Sequence, residues 1–236
     1  REPKIPGEAE KVNQTQFQEI IGSLLHIALY SRPDIACSVN MLSQFSQDPR
    51  KQHYNAALQV VKYLYTTRDT VLEYRRTRLP LVGYVDANWA QDVNDRKSQT
   101  GLCFILAGGA ISWESRKQKV VATSSAESEY VALTDAAKEA IYLGYLLSEL
   151  GFKSNNPITI YGDSQSAQHM AKFGSHHSRT KHIDYKYHFI REAVEKEIIQ
   201  LKYISTNVMT ADNLTKPVPK EKHYFCCKEF GLKFNI

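Results

Sequence analysis

Four acidic residues lie where a fold could bring their carboxylates together. Asp86 and Asp163 each close a short apolar run of the kind that forms a buried strand. Glu129 lies near the start of a long helical pattern, and Asp212 lies near the start of a shorter one. Each acid alone has an ordinary explanation as a turn residue, a helix cap or a favourable first-turn acid. One acid on each element of a strand–helix–strand–helix series favours a shared site.

The chemistry of such a site follows from charge. Crowded carboxylates repel one another, so one of them takes up a proton unless cations neutralise the group. Magnesium and manganese prefer oxygen ligands, and two such ions can serve the attacking and leaving oxygens of a phosphodiester. The sequence has no Cys or His cluster with zinc spacing, no Ser-His-Asp order and no Gly-rich phosphate loop. The quartet therefore predicts two Mg²⁺ ions, for which Mn²⁺ can substitute, and metal-dependent phosphodiester hydrolysis.

The elements that would position these acids form an α/β pattern. A long helix over residues 125–150 stops at Gly151, and shorter helices are predicted up to Lys172, up to about Lys196 and from about Thr210. A hairpin turn is predicted at Gly108-Gly109. The resulting order, β-β-β-α-β-α-α-β-α, predicts a mixed five-stranded sheet flanked by helices. The predicted strands cover residues 81–86, 100–106, 110–113 resuming at 120–121, 157–162 and 198–204.

The first 76 residues have a different pattern. Three apolar stripes at helical spacing, over residues 16–31, 35–45 and 54–64, predict a small helical module. Asp34 is expected to cap the second helix, and a basic stretch at residues 75–78 is the candidate linker. The predicted domains are therefore a helical module over 1–76 and an α/β domain over 77–236.

Composition places few limits on function. A hydrophobic content of 42% and a charged content of 23% are ordinary for a globular chain, and the net charge of +5 permits binding to polyanions without requiring it. The four cysteines form no C-x-x-C pair, which favours a reduced, intracellular protein. No apolar run approaches the roughly 18 residues of a transmembrane helix, so no membrane partner is expected.

Five motifs lie around the four acids: GYVDANWA (83–90), SSAESEY (124–130), IYGDSQSA (160–167), HSRTKHID (177–184) and ADNLTK (211–216). They resemble the ribonuclease H domain of copia-type LTR retrotransposon polyproteins. Residues 22–25 (GSLL) and 32–36 (RPDIA) are similar to the stretch just upstream in that family, the end of the reverse transcriptase with its thumb or connection. The Tyr-x-Asp-Asp signature of the polymerase is absent from the sequence.

The resemblance implies a ribonuclease H-like fold and cleavage of the RNA strand of an RNA–DNA hybrid with two magnesium ions. It implies that Asp86, Glu129, Asp163 and Asp212 are the catalytic and metal-binding acids. It implies as partners the hybrid and the polymerase domain of the same polyprotein. The expected location is a cytoplasmic virus-like particle, with the nucleus as the alternative. Cellular ribonucleases H have a mobile histidine before the last acid, and residues 205–209 contain none.

Basic and aromatic residues near the acids are candidates for substrate contacts. A hybrid presents phosphates on both strands and 2′-hydroxyls on one, so contacts to it are largely non-specific in sequence. A solvated basic loop is an equally good explanation for any one cation. Trp89 and Trp113 could stack on sugars, although core packing is favoured. The candidate substrate-binding residues are Arg96, Lys97, Lys117, Lys119, His177, Arg179 and His182, of which the histidines could also replace the missing mobile histidine.

Two functional alternatives remain open. An integrase or transposase shares this type of sheet but usually orders its acids Asp, Asp, Glu, whereas here Glu129 comes second and Asp212 last. A catalytically weak scaffold that only grips hybrid beside a reverse transcriptase is the non-enzyme alternative, and four intact acids argue against it.

Glu127 is the neighbour that competes with Glu129 for a place in the site. Ser124 and Glu127 have the S-x-x-E spacing of a capping box, which predicts a structural role for Glu127 with its carboxylate at the Ser124 amide. Glu129 shares its helix face with Leu133 and Ala136, which should pack on the sheet. Glu129 is therefore predicted to be the metal ligand.

Overall fold

The computed structural model describes residues 12–92, 94–152, 156–173 and 181–234. The candidates His177 and Arg179 lie outside the described residues, as does the side chain of His182. No helix in the described part of the chain is long and apolar enough to cross a membrane. The elements are α1 (Gln14–Tyr30), α2 (Ala36–Ser43), α3 (Lys51–Thr66), β1 (Val71–Leu72), β2 (Val82–Asn88), β3 (Gln99–Leu106), β4 (Gly109–Lys117), α4 (Ser125–Glu149), β5 (Ile158–Gly162), α5 (Gln165–Phe173), α6 (Lys181–Glu195), β6 (Ile199–Tyr203), α7 (Lys220–Glu229) and β7 (Leu232–Lys233), with 3₁₀ turns at Pro33–Ile35, Thr206–Val208 and Thr210–Leu214.

Five strands form one mixed sheet in the order β4-β3-β2-β5-β6. β2, β3 and β4 are antiparallel, whereas β5 pairs parallel with both β2 and β6. Val85 pairs with Gly162, so Asp86, the next residue of β2, and Asp163, the first residue after β5, lie at the same edge of the sheet. The mixed five-stranded sheet with flanking helices confirms the fold class predicted from the sequence.

α4 lies against the sheet because one of its faces is made of small and apolar side chains. Leu133, Ala136 and Ala140 are all buried in the same core cluster as Val85 and Ile160 of the central strands. Alanines at the contact let the helix axis approach the strands closely. The helix then runs to Glu149, with Leu150 as its C-cap and Gly151 following with a φ of +86°. The face predicted for Glu129 therefore does pack on the sheet.

The hairpin between β3 and β4 corrects two predictions. The turn residues are Ala107 and Gly108, with φ values of +55° and +79°, and Gly109 already belongs to β4. A two-residue turn of this kind has two positive φ angles, and Ala107 and Gly108 are the residues that adopt them. The turn therefore lies one position earlier than the predicted Gly108-Gly109. β4 is continuous to Lys117 because it pairs with β3 on both sides of one register shift at Ile111, and residues 120–121 are not a strand.

The helical module has its own core, but its buried acid does not cap a helix. Phe17, Leu24 and Val39 are buried where α1, α2 and α3 meet. The prediction that Asp34 caps α2 is wrong, because α2 begins at Ala36 without a side-chain cap. Asp34 instead accepts hydrogen bonds from Arg32 at 2.7 and 2.9 Å and from the Tyr63 hydroxyl at 2.7 Å. The local Pro-Asp signal is the same for a cap and for a buried ion pair, so only tertiary packing distinguishes them.

The C-terminal segment, residues 210–234, joins the helical module to the sheet. β7 pairs antiparallel with β1, and the Asn213 side-chain amide donates to the Asp34 carbonyl at 3.1 Å. The Tyr63 hydroxyl lies 3.1 Å from His223 Nε2 in α7. The division between residues 76 and 77 stays a prediction, and these contacts cross it.

Candidate active site

Three of the predicted acids meet at the edge of the sheet. Asp86 is buried in β2, Glu129 is half-buried near the start of α4, and Asp163 follows β5 directly. Each offers an oxygen that lies within 4.8 Å of an oxygen from both of the others. The edge is set by the parallel pairing of β2 with β5, and α4 brings Glu129 to it from one face.

The start of α4 separates the roles of its two glutamates. Ser124 caps the helix by accepting from the Glu127 amide at 3.2 Å. The Glu127 carboxylate accepts from the Thr123 amide at 2.7 Å and from the Thr123 hydroxyl at 2.5 Å. Glu127 therefore has a structural role at the helix start, as predicted, but its carboxylate reaches Thr123 rather than Ser124. Glu129 faces Asp86 and Asp163 instead.

The acids at this edge carry more negative charge than their surroundings neutralise. Burial raises the pKa of Glu129, and the carboxylates of Asp86 and Asp163 raise it further. Burial also raises the pKa of Asp86, against the opposing effect of the Lys216 ammonium. A hard divalent cation would supply the missing positive charge and accept carboxylate oxygens as ligands, so Asp86, Glu129 and Asp163 fit a magnesium or manganese ion.

Asp212 lies beside this trio but its carboxylate engages two lysines. It is buried in the turn Thr210–Leu214, with Oδ1 2.6 Å from Lys216 Nζ and Oδ2 3.2 Å from Lys222 Nζ. Among the described residues, Asp86, Glu129 and Asp163 form a group whose ligand atoms all lie within 4.8 Å of one another, and Asp212 does not belong to that group. The role of Asp212 as a fourth ligand therefore stays a prediction.

Three residues that the sequence reasoning missed also touch the acids. The Thr215 hydroxyl donates to Asp86 Oδ2, and the Thr206 hydroxyl donates to Asp163 Oδ2 at 2.6 Å. Lys216 Nζ lies 3.4 Å from Asp86 Oδ2. Thr215 and Lys216 belong to the ADNLTK motif, and the i,i+4 spacing of Lys216 from Asp212 was the signal available.

The basic candidates near the site are partly occupied by acids of their own loop. Lys117 Nζ lies 2.5 Å from Asp92 and 3.0 Å from Asp95, and Lys97 Nζ lies 3.7 Å from Asp95. Arg96 and Lys119 are exposed. Contacts of these cations with nucleic acid stay a prediction.

The two tryptophans make backbone contacts rather than forming one aromatic platform. Trp113 donates to the Ala28 carbonyl at 2.8 Å and so connects β4 to α1. Trp89 donates to the Ala122 carbonyl at 3.1 Å and remains about half exposed, at 48%. The sequence favours a packing role for both tryptophans. Trp113 fits this role better than Trp89, which remains half exposed.

Gly101 lets the turn that carries Asp212 approach β3. A Cβ at Gly101 would lie 2.7 Å from both Leu214 Cβ and Thr215 Cγ2. We expect Gly101→Ala to lower the free energy of unfolding by about 1–3 kcal/mol, because the turn has to move away from the sheet. The control is Gly22→Ala, where a Cβ meets nothing within 4 Å in the middle of α1 and should stabilise by about 0.5–1 kcal/mol. Urea unfolding of both variants measures the contrast, and equal effects would contradict this account of Gly101.

Comparison with known proteins adds relatives that cover nearly the whole chain. This chain is 42% identical, over 96% of its length, to the retrovirus-related Pol polyprotein from transposon TNT 1-94 of Nicotiana tabacum. It is 38% identical, over 92% of its length, to the retrovirus-related Pol polyprotein from transposon RE2 of Arabidopsis thaliana. The chain spans only 17% and 15% of these two relatives, about a sixth of their length. Over 54% of its length it is 45% identical to secreted RxLR effector protein 161 of Plasmopara viticola, of which it covers 90%.

No protein-family model matches the chain. Among solved structures, it resembles LC11-RNase H1, crystallised with an RNA/DNA hybrid, with 14% identity and a TM-score of 0.43 over 58% of this chain and 94% of that one. The antiparallel β4-β3-β2 meander continued by parallel β5 and β6 is itself the ribonuclease H-like strand order. The chain is thus homologous to a segment of the Pol polyproteins of copia-type retrotransposons, and its sheet has the ribonuclease H-like fold.

Proposed function

We propose that this chain is a metal-dependent nuclease that cleaves the RNA strand of RNA–DNA hybrids during reverse transcription of a retrotransposon. The observation that carries the proposal is the meeting of Asp86, Glu129 and Asp163 at one edge of the sheet, each with an oxygen within 4.8 Å of the others. Carboxylates this close and this poorly neutralised are suited to divalent cations rather than to packing.

Each residue of the site has a task that its position permits. Asp86 and Asp163 would bind from the ends of adjacent strands, and Glu129 would bind from α4. Bound Mg²⁺ or Mn²⁺, as two ions, would supply Lewis-acid charge for the attacking and leaving oxygens of the phosphodiester. Thr215 and Thr206 hold Asp86 and Asp163 in place through their hydroxyls. Asp212 would complete the set once its carboxylate turns from its lysines.

The substrate is proposed to be a hybrid because the family copies RNA into DNA. Recognition would combine phosphate contacts from exposed cations such as Arg96 and Lys119 with contacts to the 2′-hydroxyls of one strand, which distinguish RNA from DNA. The polymerase part of the same polyprotein is the proposed partner, and a virus-like particle is the proposed place. Residues 1–76 are proposed to contribute binding rather than chemistry.

The direct test is cleavage of labelled hybrid by the purified chain. We expect endonucleolytic cuts in the RNA strand with Mg²⁺ or Mn²⁺, no cuts in chelator, and no cleavage of a DNA duplex of the same sequence. The assay separates the alternatives, because a hybrid-binding scaffold would shift the hybrid in a gel without cutting it. A strand transferase would instead join DNA ends. A folded chain that cuts no hybrid with either metal would refute the proposal.

A further inference from the structure

One lysine occupies the space between two of the buried acids. Lys216 Nζ lies 2.6 Å from Asp212 Oδ1 and 3.4 Å from Asp86 Oδ2. The side chains of both aspartates are only 3% exposed, whereas that of Lys216 is 34% exposed. The ammonium thus reaches from solvent into the buried pair of carboxylates.

The contact between Lys216 and Asp212 is an ion pair without hydrogen-bond geometry. Asp212 Oδ1 is buried and has no hydrogen-bond partner of acceptable geometry in the described structure, although the Lys216 ammonium is 2.6 Å away. Within the described residues, the ion pairs and hydrogen bonds of Lys216 Nζ lead only to Asp86 and Asp212. Its position is therefore set by these two carboxylates, as the position of a bound cation would be.

Lys222, the second lysine at Asp212, is held differently. Its ammonium lies 2.7 Å from the Thr206 carbonyl and 2.9 Å from the Asn207 carbonyl, besides the 3.2 Å contact with Asp212 Oδ2. Two backbone carbonyls tie it to the turn Thr206–Val208 whatever Asp212 does. Lys216 has no such backbone partner among the described residues, so it can leave.

We propose that Lys216 is a tethered cation that neutralises Asp86 and Asp212 in the metal-free protein, and that a divalent cation has to displace it to gain Asp212 as a ligand. The inference rests on the proposed function in that it takes the acids to be metal ligands. It adds that the chain carries its own competitor for the metal and thereby limits the affinity of the site.

The displacement has a simple electrostatic reason. An ammonium and a divalent cation at the same two oxygens repel each other strongly in a poorly hydrated site. Lysine is a compact charge on a flexible four-carbon stem, and this one is already partly exposed, so it can swing into water when the metal arrives. The apparent metal affinity is then the intrinsic affinity multiplied by the fraction of molecules in which Lys216 has left the acids.

Calorimetric titration of the metal-free chain with MgCl₂ tests the proposal without an activity assay. We expect Lys216→Met to bind Mg²⁺ at least about tenfold more tightly than the original chain. It should also melt at a lower temperature in chelator, because Asp86 and Asp212 lose the ammonium that they share and only Asp212 keeps a lysine, Lys222. Lys216→Gln should show the same tightening and serves if the Met variant does not fold. Lys216→Arg, which keeps the charge, should stay near the original affinity.

The matched control is Lys228→Met, which removes the same charge from an exposed position in the last turn of α7. It should leave both the Mg²⁺ affinity and the melting temperature unchanged. Equal or weaker Mg²⁺ binding by Lys216→Met and Lys216→Gln would overturn the inference, and so would the absence of Mg²⁺ binding by every variant. If Lys216→Met binds Mg²⁺ more tightly but the original chain cuts no hybrid, the inference is supported and the proposed function is refuted. Hybrid cleavage by the original chain, together with an unchanged Mg²⁺ affinity of Lys216→Met, would support the proposed function and overturn the inference.

Discussion

Glu129→Gln is expected to lower the rate of hybrid cleavage by at least about a hundredfold while the chain stays folded. The amide keeps the size of the side chain but removes a charged ligand from the trio with Asp86 and Asp163. The two remaining carboxylates would hold a divalent cation more weakly, and the proposed chemistry depends on that cation. Cleavage rates at saturating hybrid and a thermal melt of the same sample provide the two measurements.

Glu127→Gln is the matched control, because it makes the same change two positions away. The side-chain carbonyl of the introduced glutamine could still accept from the Thr123 amide, so we expect most of the activity and a loss of at most about 1 kcal/mol of stability. An active Glu129→Gln together with an inactive, well-folded Glu127→Gln would reverse the assignment of the two residues.

Glu129→Gln has a second signature in chelator. Burial and two neighbouring carboxylates raise the pKa of Glu129 in the folded state above its unfolded value of about 4.3. At Glu129 the folded protein then binds more protons than the unfolded one, so the contribution of this residue to stability is fully present below that unfolded pKa and is lost as the pH rises through the folded pKa. Glu129→Gln should lose part of this fall, and a melting series in chelator from about pH 4 to about pH 9 would reveal it.

Asp34→Ala is expected to lower the free energy of unfolding by about 3–5 kcal/mol. The Arg32–Asp34 pair is 2.7 Å long, with side-chain exposures of 7% and 0%. Removing the carboxylate leaves a buried guanidinium without its counter-charge and the Tyr63 hydroxyl without its acceptor, and both losses are costly in a poorly hydrated interior. Denaturant unfolding monitored by fluorescence gives the change directly.

The chain contains a matched exposed pair for comparison. Arg50 and Asp48 also lie two positions apart and form a 2.6 Å ion pair, but their side chains are 30% and 66% exposed. Asp48→Ala should cost no more than about 1 kcal/mol, because water and salt screen this pair. Similar losses for Asp34→Ala and Asp48→Ala would show that the Arg32 site is more hydrated than the structure indicates.

The parts of the fold that followed from the sequence are those with local signals. β2 and α4 could be predicted because each has a continuous apolar pattern and a clear stop, and the acids were expected to converge because each one lies on its own element of a strand–helix–strand–helix series. The predicted place of the hairpin turn is wrong by one residue, because Ala107 adopts a positive φ that is uncommon for alanine.

What the sequence could not reveal depends on contacts between distant residues. The position of Asp34 beside Pro33 predicts a helix cap, whereas in the structure its carboxylate accepts a hydrogen bond from Tyr63 on another helix. Lys216 reads as an ordinary i,i+4 surface pair of Asp212, and only burial of both aspartates makes its ammonium significant. In both cases the local pattern is compatible with a solvated residue, and the tertiary packing decides.

The C-terminal segment has a consequence for the order in which this chain can fold. Tyr63 and His223 are 160 positions apart, and Asp34 and Asn213 are 179 apart, so the polar contacts that complete the helical module come from residues synthesised much later. Closing such long loops is slow compared with forming helices. The helices of the module are thus made first, but the bonds of Tyr63 to His223 and of the Asp34 carbonyl to Asn213 cannot form until residues 210–234 have been synthesised.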